Sequence, residues 1–129
     1  MHRETTFLNV DLEVLAREDL TTLANALESH LFVLDVQRIG RRYRASFEVL
    51  QPKTPDTAIR RLVAAIQRLP PRRRAQWNRA ARRDFNIGIQ AALEPPSREF
   101  PIEAATVNMV AKVGGRIVVT VYGASQAAE

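Results

Sequence analysis

The chain has 129 residues, no cysteine, and 19 Lys and Arg against 14 Asp and Glu, for a formal charge of +5. That length fits one domain of common size, which buries roughly two thirds of its unfolded surface and needs no metal or disulfide staple. Without cysteine there are no disulfides, thiolate nucleophiles or zinc–thiolate sites, and no apolar run approaches the ~18 residues of a membrane helix.

The stretch up to Asp11 lacks an apolar core and already holds Glu4 and Asp11, which is not the pattern of a secretory signal. A single cytoplasmic domain over residues 1–129 is the expectation. Residues 5–14 alternate, with Leu8, Val10, Leu12 and Val14 on one side and Phe7, Asn9, Asp11 and Glu13 on the other, the pattern of a half-buried strand. Asp19 is placed to cap a helix running to about Leu31, with Leu20, Leu23, Ala24, Leu27 and Leu31 at helical spacing. Phe32 to Ile39 reads as a second strand with Phe32, Leu34 and Val36 on one face. Gly40 marks a turn. Tyr43, Ala45, Phe47 and Val49 then alternate with Arg42, Arg44, Ser46 and Glu48, so strands two and three form a hairpin.

Thr54, Pro55 and Asp56 supply a capping hydroxyl, a first-turn proline and an acid at the positive end of a helix dipole. Ile59, Leu62, Val63, Ile66 and Leu69 give that helix a buried stripe, and Pro70 and Pro71 stop it. Residues 72–84 predict an Arg-rich helix with Trp77 and Ala81 facing inward. Phe85, Ile87, Ile89 and Ala91 alternate as a fourth strand, followed by a loop at Glu94 to Ser97. A helix from about Ile102 to Val113 is expected to bury Val107, Met109 and Val110 and to end on Gly114 and Gly115, with a glycine in the left-handed cap. Arg116 to Tyr122 is the last strand, and residues 124–129 read as a disordered tail.

The order βαββααβαβ predicts an α+β fold. It is a two-layer sandwich with a mixed or antiparallel sheet of about five strands, helices on one face, and a ferredoxin-like order in the first four strands. The other sheet face is then open. Its residues would be Asn9, Asp11, Glu13, Asp35, Gln37, Arg42, Arg44, Glu48, Asn86, Gln90 and Thr120.

The strand Phe7 to Val14, the segment Phe85 to Ile89, and the ending Val110 to Tyr122 (a helix, a glycine turn and a strand closing on Tyr) resemble the bacterial domain-of-unknown-function 4279 family of small α+β proteins. The similarity spans most of the chain. It implies the fold and a bacterial origin, and it transfers no catalytic residue. The Arg-rich helix around Trp77 is not part of that pattern.

Charge is unevenly placed. Residues 38–84 hold 14 Lys and Arg with only Glu48, Asp56 and Asp84, so this stretch carries +11 and the remainder −6. On a continuous helix Arg72, Arg79 and Arg83 share a face beside Arg73 and Trp77. With Arg42 and Arg44 of the hairpin they form a candidate surface for a polyanion or an acidic partner, Trp77 stacking on a base. The competing reading is a solvated helix that Trp77 anchors in the core. Tyr43 and Phe47 alternate as the stacking aromatics of an RNA-recognition sheet would, but Arg42 stands where that signature needs glycine, and the alternation puts both rings in the core.

Enzymatic motifs are sparse. His2 is terminal, and His30 ends a helix, where a cation suits the dipole. Asp11, Glu13 and Asp35 are the candidate carboxylates for acid–base chemistry or a cation site, against the alternative of outward residues facing Arg42 and Arg44. There is no nucleophile elbow, phosphate loop or dinucleotide fingerprint, and no cofactor or metal is expected. The last strand is apolar on both sides, so it is either covered twice or an edge that pairs with a second copy as a homodimer. Three readings follow in order. The first is a non-catalytic protein-binding module of the immunity or accessory kind, whose partner has an acidic surface. The second is a nucleic-acid-binding protein using the Arg-rich helix, and the third is a hydrolase using the strand carboxylates.

Overall fold

The computed structural model describes residues 4–94 and 96–124. His2, Pro95 and the tail residues 125–129 lie outside them. The elements are β1 (Thr6–Ala16), α1 (Thr21–Leu27), β2 (Phe32–Ile39), β3 (Arg42–Glu48), α2 (Pro55–Gln67), α3 (Pro71–Arg79), β4 (Arg82–Gln90), α4 (Ala104–Lys112) and β5 (Arg116–Tyr122). They form the expected α+β fold. One sheet has the order β2-β3-β1-β4-β5, the first four strands antiparallel and ferredoxin-like, with β5 added parallel to β4. No helix of the described residues is long and apolar enough to cross a membrane.

β1 is the central strand. Val10, Leu12, Val14 and Ala16 are buried, and they meet Ala45 and Phe47 of β3 and Phe85, Ile87 and Ile89 of β4 in the core. The α2 stripe Ile59, Leu62, Val63 and Ile66 covers them, and the helix starts as the sequence predicts, with Thr54 Oγ1 accepting from the Thr57 N–H at 3.1 Å. Gly40 (φ +62°) makes the β2–β3 turn. After α4 the Gly114 N–H donates to Ala111 O and the Gly115 N–H to Val110 O, with Gly114 at φ +74°, a complete Schellman end.

Several local expectations are corrected. Strand alternation fails at two bulges, between Phe7 and Asn9 and between Val33 and Asp35. The first turns Phe7 toward the core and leaves Leu8 44% exposed. The second puts Val33 against the core, while Phe32, Leu34 and Val36 stay exposed. α1 stops at Leu27, four residues short of Leu31, so His30 lies beyond it; Asp19 still bonds the Thr21 N–H, from one residue further out than expected. Hydrogen bonds from the Thr21 hydroxyl and backbone hold the Asp19 carboxyl below its usual range. α3 ends at Arg79, because Ala81 pairs its N–H with Leu15 O just before β4; Arg82 and Arg83 therefore sit on a strand, and Ala81 is exposed. α4 turns Thr106 and Val110 inward, which leaves Val107 exposed.

Gly115 packs where no side chain fits, since a Cβ there would lie 2.5 Å from the buried Phe85 ring and 3.0 Å from Val110. Gly115→Ala is expected to destabilise the fold by about 1–3 kcal/mol. Gly123→Ala, with nothing near the added atom, should change stability by less than about 0.5 kcal/mol. Urea unfolding followed by the single tryptophan measures both, and equal midpoints would contradict the packing described.

Candidate functional site

Several arginines of the expected basic surface are engaged within the fold. Arg79 is tied to Glu18 at 2.9 Å, and Arg73 bonds Thr22 and Gln76. Arg83 donates to the carbonyls of Gly114, Trp77, Asn78 and Ala80, at 3.0–3.2 Å, and lies over the Trp77 ring. Trp77 is fully buried, and its indole N–H donates to Val113 O at 2.9 Å, so the expected stacking on a base is overturned. Arg44 reaches Asp35 at 3.5 Å. Of the candidate residues, Arg72 and Arg42 are exposed and have no ion-pair partner among the described residues, as do Arg41, Arg60 and Arg68. Phe47 is core, and Tyr43 is half-buried beneath Arg38.

The open sheet face carries the geometry of greater interest. At one end Asp84 and Asp35 are ion-paired. Asp84 is 6% exposed and takes two bonds of 2.8 Å from Arg116, with Arg82 3.3 Å away. Glu13 accepts from the Asn86 amide at 3.2 Å, and Asp35 accepts from Gln37 and Arg44. The three carboxylates singled out in the sequence therefore do not converge. Asp11 instead meets Glu48, which follows the Leu12–Phe47 cross-strand pair of β1 and β3.

Asp11 and Glu48 line a cavity of about 360 Å³ with Asn9, Asn86, Thr120, Gly88, Leu8 and Tyr122. Among the described residues no Lys or Arg lines it. The polar groups around the acids are held in place. Asn9 bonds Val49 O and the Val10 N–H, and Asn86 Oδ1 accepts from the Thr120 hydroxyl at 2.8 Å. Burial, then the hydrogen bond to Glu48, then the Glu48 charge push the Asp11 carboxyl up to about 6. Below that pH Asp11 holds a proton beside Glu48; above it Asp11 is ionised. Among the described residues no group of three His, Asp or Glu gathers to hold a metal ion.

Glu48 was visible in the sequence as an open-face residue but not as the partner of Asp11, because the pairing depends on the β1–β3 register. Leu8 reaches the cavity only through its bulge. No protein-family model, curated protein or solved structure matches the chain.

Because folding raises the Asp11 pKa from 3.8 to about 6, the native state binds a proton that the unfolded chain releases, and stability falls as pH rises across that window. Asp11→Asn removes this loss. The variant should gain about 1–2 kcal/mol over the wild type at pH 7.5, after allowance for solvent screening, and little at pH 4. Urea unfolding at both values tests this; an equal difference at the two would reject it.

Proposed function

We propose that the protein is a non-catalytic binding module whose open sheet face receives a basic side chain of a protein partner. The observation that carries this reading is the Asp11–Glu48 pair in a cavity with no Lys or Arg in its lining among the described residues, on a face where Asp35 and Asp84 are ion-paired. A guanidinium or ammonium entering it would meet two carboxylates, the amides of Asn9 and Asn86, and the Tyr122 ring at the rim. Leu8, Phe32 and Tyr122 are all exposed, and Phe32 pairs with Glu48 across β2 and β3. Apolar groups around a charged centre suit a protein surface better than a free ion.

The sequence expectation of an acidic partner rested on the +11 stretch. Arg44, Arg79 and Arg82 are ion-paired and others bond neutral groups within the fold, which leaves Arg41, Arg42, Lys53, Arg60, Arg68 and Arg72 to support it. The nucleic-acid reading draws less support, since its aromatic is buried. The hydrolase reading now has Asp11 and Glu48 as its pair, in place of Asp11 with Glu13 and Asp35.

Fluorescence anisotropy with labelled arginine-containing peptides, acidic peptides, and DNA and RNA tests these against one another. Basic peptides should bind more tightly as pH rises through about 6, where Asp11 ionises. Asp11→Asn with Glu48→Gln should weaken that binding at least about tenfold, the equivalent of one charge-assisted hydrogen bond or more. Binding of nucleic acid instead, with a log–log salt slope near −0.9 per phosphate contact that Arg60→Ala, Arg68→Ala and Arg72→Ala reduce, would replace the proposal with the polyanion reading.

A further inference from the structure

The sheet has two free edges, and they are built differently. β2 carries Asp35, Gln37 and Arg38, and its register slips between Val33 and Asp35. Charges and a bulge of this kind blunt an edge against further pairing. β5 has none of these devices. Five consecutive β-branched residues, Ile117 to Val121, stand between Arg116 and Tyr122, with no proline and no slip against β4. Its one charge, Arg116, is already tied to Asp84. Ile117, Val119 and Val121 are 37%, 57% and 59% exposed. Among the described residues β4 is its single strand neighbour.

We infer that β5 pairs antiparallel with β5 of a second copy, about a two-fold axis through Val119, so that the two sheets become one. The choice of a second copy follows from the strand itself. A two-fold centred on Val119 is the register that pairs every residue from Arg116 to Tyr122. Arg116 then lies beside the partner's Tyr122, Ile117 beside the partner's Val121, and Val118 beside the partner's Thr120. Residues of the open face meet residues of the open face, and aliphatic residues meet aliphatic residues. The cation stands against an aromatic ring and away from its own copy. The contact is isologous, so it consumes the edge that makes it; with β2 blunted, assembly stops at two. The ligand cavity read for the open face shares Thr120 and Tyr122 of β5 with this contact, while its acid pair lies on β1 and β3.

The lack of native cysteine makes the register directly testable. In Val119→Cys the single thiol meets itself across the axis and should give a disulfide-linked dimer under mild oxidation. Val36→Cys on β2 should form no disulfide-linked species under the same conditions. By light scattering at about 100 μM the wild type should have twice the monomer mass, as a dissociation constant of about 10 μM or tighter would give. Val119→Lys sets two charges on the axis and should weaken association at least tenfold, with the circular dichroism of the fold unchanged. A monomeric wild type at that concentration, an open-ended oligomer, a dimer that survives Val119→Lys, or cross-linking through Val36→Cys and not Val119→Cys would each overturn the inference.

Discussion

The structure depends on the fixed register of β1. Its alternate residues serve two environments. Val10, Leu12 and Val14 are buried, while Asn9, Asp11 and Glu13 sit on the opposite, open face. A slip of one residue would carry Asp11 and Glu13 into the core, at a cost no other contact offsets. Pairing on both edges prevents that slip, with Leu12 opposite Phe47 on one side and Phe85 on the other. The same pairing that secures the core therefore holds Asp11 beside Glu48. Two like charges facing one another across strands oppose folding. The fold accommodates them by keeping Asp11 protonated up to a pH of about 6. A local conflict of this kind, kept inside an otherwise consistent sheet, marks a site of function more often than a defect of packing.

The arginines show why net charge is a poor guide to a binding surface. Arg83 gathers four carbonyls from the end of α3 and the turn after α4. Its guanidinium lies over Trp77, whose N–H closes the same junction on Val113. Arg79 and Arg116 are bound to Glu18 and Asp84. These groups act within the fold as hydrogen-bond donors to helix ends and carboxylates, roles for which the guanidinium fork is suited. The basic stretch is thus partly the mortar of the domain, while Asp11 and Glu48 on the sheet face have no ion-pair partner among the described residues.

Periodicity and capping made most of the fold legible. The five strands, the α2 cap at Thr54, the hairpin at Gly40 and the glycine end of α4 could all be read from residues near one another in the chain. The failures share a cause. The bulges at Leu8 and Leu34, and the early end of α3 at Arg79, are set by pairing with distant strands, which local pattern does not record. A run of arginines is a good helix former, yet Arg82 and Arg83 join β4 because β1 supplies the partner. The site was half legible for the same reason. Asp11 could be singled out by its face, whereas its partner Glu48 follows only from the β1–β3 register. Asp35 and Glu13 were read with it because alternation does not show which outward residues meet.

The most direct test of this account is a carboxyl ¹³C NMR titration of Asp11 in the intact protein. The account predicts a midpoint near 6, well above the ordinary value of 3.8. A midpoint at or below that ordinary value would mean that Asp11 is neither buried nor set against Glu48, and would contradict the acid pair on which the functional reading stands.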